Sequence, residues 1–445
     1  MRSLRWIVVP LIVVMFAAAC AADEDDGGDG GGGTDTGGVD QLEDTGTVNV
    51  LSAGDPGEVE IYNGIIDELI NADAEYTAEI EASGEAEQQA QIRAEAGTLD
   101  VFLAPQPGLV ADLAGSGSLT SLEDMGFDIA ALEELFGEYF VSLGEVDGQH
   151  YGIPTNINLK SMVWYPKDDF DAAGYEVPTT WDEMLALSDE IVANGSTPWC
   201  VGYQSEGSTG WPATDWIEDI MLRTAGLETY SQWYTHEIPF NDPAVLEAAQ
   251  TFGEVMFAEG YVLGGAENTP NLAFGEAPLP MFDDPPGCWL HRQASFINGF
   301  FPEGTEAGVD YDWFPLPPID QEGTLFAGEL AVVGTAGNRA EVKDFLEKFM
   351  DQEVQCALGG DALSSRISPN INVGADCYVN EILADASTVL TEGLANGTAG
   401  FDASDLMPSA VGAGSFWTGM VDYMQSGPDS IEGILEEIEA SWPAE

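Results

Sequence analysis

Thr47-Val-Asn-Val-Leu-Ser52, Gly54-Asp55-Pro56-Gly57 and the run from Val59 to Ala72 make a strand, a turn and a helix in direct succession. The first segment alternates as a strand does, and the Gly and Pro of the second mark the turn that ends it. In the third, Ile61, Ile65, Ile66, Leu69 and Ile70 fall on one helical face. A helix-like stretch from Ala86 to Glu95 then leads to a second short apolar strand, Leu99-Asp-Val-Phe-Leu-Ala104. Strand, helix, helix, strand in this order predicts an α/β protein with a parallel sheet and helices packed outside it.

The pattern returns beyond Gly152. Met162-Val-Trp-Tyr165 reads as a strand, and Thr180-Trp-Asp-Glu183 as a helix start with the Glu placed to cap it. Helices are expected over 215–223, 244–258, 339–350 and 431–441, and a strand over Phe326–Val333. The 445 residues exceed one ordinary core and suit two lobes of common size. No repeat of solenoid period is evident.

The N-terminus has its own logic. Arg2 and Arg5 precede an apolar run from Trp6 to Ala19, too short for a comfortable membrane span and suited to an export signal over residues 1–19. The run ends Ala17-Ala18-Ala19-Cys20, which resembles the lipobox of bacterial lipoproteins and implies a lipid anchor at Cys20. Residues 20–46, rich in Gly, Asp, Glu and Thr, then read as a flexible acidic tether. Plain secretion, with Cys20 an ordinary thiol, is the alternative. Cys200, Cys288, Cys356 and Cys377 suggest two disulfides, with three connectivities open and Cys356–Cys377 the local choice. No pair has Cys-x-x-Cys spacing, which argues against a zinc site.

Lys and Arg number 11 against 79 Asp and Glu, a net charge of −68. Phosphate contacts need clustered Lys and Arg, so a nucleic-acid binder is excluded. The acids are spread along the chain, as expected of a solvated acidic surface suited to high salt.

Several blocks resemble the extracellular sugar-binding proteins of ABC importers, the family related to maltose-binding protein. They are Gly97-Thr-Leu-Asp100-Val-Phe, Gly152-Ile-Pro154 and Ala173-Gly174-Tyr-Glu-Val-Pro178-Thr-Thr-Trp181-Asp-Glu. Thr197-Pro-Trp-Cys200, Thr209-Gly-Trp-Pro212-Ala-Thr-Asp-Trp216 and Pro286-Gly-Cys288-Trp289 are similar to its α-glucoside-binding branch. The resemblance spans residues 47–445. It implies a type II periplasmic-binding-protein fold, with two lobes, hinge crossovers and a ligand cleft between the lobes. Lobe I would comprise 47–157 plus about 327–382, and lobe II 158–326 plus about 383–445. It further implies an α-glucoside ligand, a membrane permease as partner, a monomer, no cofactor, no metal and no catalysis.

A sugar needs flat apolar faces for its C–H groups and directional partners for its hydroxyls. Likeness to family blocks offers Gln106, Asn158, Glu206, Trp211, Trp289 and Trp417 as ligand contacts, with Asp55, Glu329 and Arg366 beside them. Trp181 and Trp216 are expected to pack helices against sheets. Rival readings find little support. Acid pairs for a glycosidase are uninformative in so acidic a chain. His150, His236 and His291 lack metallohydrolase spacing, and Gly-x-Ser-x-Gly is absent. Asp169-x-Asp171-x-x-Gly174 begins like a calcium loop, but Ala173 and Thr180 stand where ligands belong.

Overall fold

The computed structural model describes residues 46–54, 56–361 and 364–443. The export signal, Cys20, the tether up to residue 45 and Asp55 lie outside the described residues. The strands are β1 (Thr47–Ser52), β2 (Thr77–Ala82), β3 (Val101–Ala104), β4 (Glu145–Val146), β5 (Gln149–His150) and β6 (Gly152–Leu159). They continue with β7 (Met162–Tyr165), β8 (His291–Arg292), β9 (Asp312–Pro315), β10 (Thr324–Val333) and β11 (Ala399–Phe401).

β1 pairs in parallel with β2 on one side and β3 on the other. The succession is therefore strand, helix, strand, helix, strand, which corrects the expected order. β2 escapes a reading by hydrophobic pattern because it is an edge strand. Only Ala78 and Ile80 turn inward, while Thr77, Glu79 and Glu81 face solvent. The helix Pro56–Leu69 buries Val59, Tyr62 and Ile66, and the helix Ala86–Glu95 buries Ala86, Ala90 and Ala94. They cover opposite faces of the sheet: Val48, Val50 and Ile80 lie with the first, Leu51 and Phe102 with the second. Asp100, in the Gly97 block, accepts two hydrogen bonds from Arg339 at 2.7 and 2.9 Å, tying this sheet to the helix Ala340–Phe349.

A second centre of packing surrounds the antiparallel sheet β8–β7–β9. Around it lie the helices Trp181–Ala193, Trp211–Thr224, Pro243–Met256, Trp417–Ser426 and Ile431–Glu439, which bury Trp181, Trp216, Phe252 and Tyr423. The helix Trp181–Ala193 begins as its sequence predicts. Thr180 accepts from the Glu183 amide, and the Glu183 carboxylate reaches back to the amide of Thr179. Both cysteine pairs are closed: Cys356 joins Cys377, and Cys200 joins Cys288.

β6 and β10 connect the two centres. They run antiparallel from Phe326↔Leu159 to Val332↔Gly152, with an irregularity between Glu329 and Leu330. The other edge of β10 is shared: Thr324–Phe326 pair with β11, and Leu330–Val333 with β3. Ala327, Gly328 and Glu329 between them are paired only to β6. A third segment crosses at Ile367, which bridges to Ile157.

Candidate functional site

The unpaired stretch of β10 lies opposite the polar residues of β6. Asn156 stands across from Glu329 and Asn158 across from Ala327. Asn156 Oδ1 and Asn158 Oδ1 are buried and accept no hydrogen bond, and Glu329 Oε2 is buried beside Arg366. Burial lifts the Glu329 carboxyl above its usual range, against the pull of Arg366. The guanidinium of Arg366 lies 3.4 Å from Glu329, donates to the Thr155 carbonyl at 2.9 Å and covers the Tyr62 ring at 5.0 Å. Arg366 thus has a full set of protein partners. The Glu329 oxygen nearest that guanidinium is Oε2, so the carboxylate is held by Arg366.

Two helix starts, each bearing an indole, meet on the other side of the hinge. Trp211 opens the helix Trp211–Thr224, and Trp417 opens the helix Trp417–Ser426 after a π-helical turn at Ala410–Phe416. Gly210, at φ 115°, lets the two backbones touch, since a Cβ there would fall 2.2 Å from the Trp417 carbonyl oxygen. Trp211 is half-buried between Phe274 and Phe296, at ring separations of 5.3 and 5.9 Å. Trp417 is buried, and its Nε1 donates to Ser404 Oγ at 3.4 Å.

Beneath Trp211 lies a buried ionic cluster that the sequence did not reveal. Lys160 Nζ is 5.1 Å from the Trp211 ring centre, 2.9 Å from Asp215 Oδ1, and paired with Asp402. Glu218 accepts from the Ala403 amide at 2.9 Å and the Ser404 amide at 3.3 Å. Arg292 pairs with Asp215 and Asp219, and Arg223 with Asp219. Burial pushes the carboxyls of Glu218 and Asp405 up, reinforced by their acidic neighbours. Burial lifts Asp215 to about 6, held from going further by Lys160. Asp215, Glu218 and Asp402 could jointly face a cation, and that position is served by the Lys160 ammonium.

Comparison with known proteins decides the family. The profile of the bacterial extracellular solute-binding proteins matches residues 63–355. The chain belongs to this family. The osmoprotective compounds-binding protein GgtB of Synechocystis is 41% identical to this solute-binding protein over 351 residues, 77% of this chain and 80% of GgtB. The alpha-glucosides-binding periplasmic protein AglE of Rhizobium meliloti is 41% identical over 369 residues, 80% of this chain and 78% of AglE. Solved structures share the fold at low identity. The bacterial solute receptor AcbH superposes with a TM-score of 0.75 at 17% identity, covering 88% of this chain and 97% of AcbH. Maltose-bound MalE3 of T. maritima gives 0.68 at 15%, covering 88% and 99%. The solute-binding protein therefore has the two-lobed α/β fold expected from its sequence. Among the described residues, no helix is long and apolar enough to cross a membrane.

The remaining expected contacts of the solute-binding protein are dispersed. Gln106 is buried at the N-terminus of the helix Pro107–Gly115. Glu206 is exposed at φ 46°, and its carboxylate reaches Gly84 of the loop after β2, where a Cβ would come within 2.8 Å. Trp289 packs edge-on against Tyr175 at 5.0 Å and donates to Ser196 Oγ at 2.8 Å, within the core around β7. Phe274, Phe296 and Lys160 were missed. Phe274 lies in a turn and Phe296 in the short 3-10 helix Ser295–Phe300, neither with a distinguishing motif, and Lys160 is one residue beyond β6.

Proposed function

We propose that this protein captures an α-glucoside or a related neutral oligosaccharide in the cleft between its lobes and delivers it to the permease of an ABC importer. The observation that carries the reading is the backbone contact that brings the helix starts of Trp211 and Trp417 together, with two unsatisfied amide oxygens, Asn156 Oδ1 and Asn158 Oδ1, on β6. Indole faces suit the C–H faces of a pyranose, and orphaned amide oxygens call for hydroxyl donors. The 41% identity to an alpha-glucosides-binding protein supports the same ligand class.

Charge favours a neutral ligand. Of the 11 Lys and Arg, Arg2 and Arg5 lie outside the described residues, and each of the other nine is within 4.0 Å of a carboxylate. A sugar phosphate would find no uncommitted cation among them. Lobe I is assigned to 47–157 plus about 327–382, and lobe II to 158–326 plus about 383–445. Sugar binds the open form, β6, β10 and the segment at Ile367 twist, and the second lobe closes over it without chemistry. Cys20 carries the lipid that holds the monomer at the outer face of the membrane, on the 20–46 tether.

Isothermal titration calorimetry of the domain without its N-terminal segment, at high salt, tests this with trehalose, maltose, sucrose and glucose 1-phosphate. One-to-one saturation by a neutral α-glucoside, and weakening by tenfold or more in Trp417→Ala, are expected. Heat that continues with added substrate would mean turnover. Preferential binding of the phosphate, or unchanged affinity in Trp417→Ala, would overturn the reading.

A further inference from the structure

We propose that Lys160 is a positioning residue for the sugar site, its single ammonium fixing both Trp211 and Trp417. This rests on the reading that the two indoles face the sugar. Lys160 follows the last residue of β6, and its amide donates to the Leu325 carbonyl of β10 at 2.8 Å, so its backbone belongs to the hinge. From there the side chain joins two elements that carry the indoles. Asp215 is one helical turn beyond Trp211 on the same helix, and it accepts from Nζ at 2.9 Å. Asp402, the second partner, accepts from Ser404 Oγ at 2.8 Å and from the Asp405 amide at 2.9 Å. Ser404 Oγ in turn receives the indole N–H of Trp417 and lies 3.4 Å from Thr214 Oγ1. A chain of polar contacts therefore runs from the hinge to each indole.

Neutralising Asp215 and Asp219 does not require the lysine. Asp215 and Asp219 already have Arg292, and Asp219 also has Arg223. Among the described residues, Lys160 is the cation that pairs with Asp402 and the one that lies over a candidate stacking ring. Burial alone would push its ammonium down, but Asp215 and Asp402, with Asp405 and Glu218 behind them, raise it, so the charge persists wherever the protein is folded. An ammonium 5.1 Å from the Trp211 ring centre holds that indole by cation–π attraction. The lysine thus sets the orientation of the indole from a position directly after the hinge strand β6.

The test uses protein labelled with 5-fluorotryptophan, its Trp211 and Trp417 resonances assigned with Trp211→Phe and Trp417→Phe. Lys160→Met removes the charge but leaves two buried carboxylates facing each other. Lys160→Met/Asp402→Asn removes that repulsion and keeps an acceptor for Ser404 and Asp405. Both indole resonances are expected to shift in the double variant, with its urea midpoint close to that of the wild type. Affinity for the α-glucoside should fall roughly tenfold, which is about 1.4 kcal/mol. A folded double variant with unmoved resonances overturns the proposal, and so does a shift with unchanged affinity. If the wild type binds none of the sugars, the functional reading falls, while the fluorine spectra still decide whether Lys160 holds the indoles.

Discussion

Replacing Gly210 with alanine should separate Trp211 from Trp417. Gly210 has φ 115° and ψ −23°, outside the regions open to an L-residue, and holding alanine there costs about 1–3 kcal/mol. The new methyl would lie 2.2 Å from the Trp417 carbonyl oxygen, 2.8 Å from its carbon and 3.1 Å from its Cα. These are backbone atoms, so no rotamer change relieves the contact. Restoring a normal separation moves one helix start by about 1 Å, and overpacking of this kind costs roughly another 1–3 kcal/mol. If both indoles face the sugar as proposed, their displacement should lower affinity by about tenfold or more. Gly207→Ala is the control: its Cβ meets nothing within 4 Å and its φ is not positive, so its stability should stay within about 0.5 kcal/mol. Urea denaturation at high salt and calorimetric titration read both quantities. If Gly210→Ala unfolds at the wild-type urea concentration and binds sugar as tightly, the tight approach described here is wrong.

Two further outcomes follow from buried groups. Burial pushes His291 down to about 4, with Nδ1 against the Cys200 carbonyl and Nε2 unpartnered. Its folded value lies below the unfolded value of about 6.5, so the neutral ring's stabilisation is full above that and is lost as pH falls toward 4. Between pH 7 and pH 5 the wild type should lose about 2 kcal/mol more than His291→Asn in urea titrations; equal losses would refute the assignment. Cys200–Cys288 closes a separation of 88 residues and Cys356–Cys377 one of 21. Replacing the first pair with Ala should cost about 4–5 kcal/mol and the second about 3, and the reverse order would contradict the loop-closure argument.

What the sequence disclosed follows the range of the forces involved. β1, the helix Ala86–Glu95 and the start at Thr180 were readable because alternation, helical spacing and capping act within a few residues. β2 was not, because its outward Glu79 and Glu81 dilute its apolar signal. Trp211 and Trp417 could be named from motif likeness, but their meeting depends on Gly210, whose close approach only the folded chain reveals. Trp289, in a Gly- and Pro-rich setting, is instead packed against Tyr175, beside the Cys288 that is tied to Cys200. The Lys160 cluster lay hidden for a statistical reason. Asp402 is 242 residues away, and among 79 acids nothing marks it out.

The shared edge of β10 also governs how the protein comes apart. One strand supplies the ladder partner of β11 at its start and of β3 at its end, with β6 alongside. Cutting the chain within β10 would therefore leave ladder groups of β3 or β11 without their partner strand. Two centres of packing thus share one continuous strand, which at Ala327–Glu329 is laddered on a single edge.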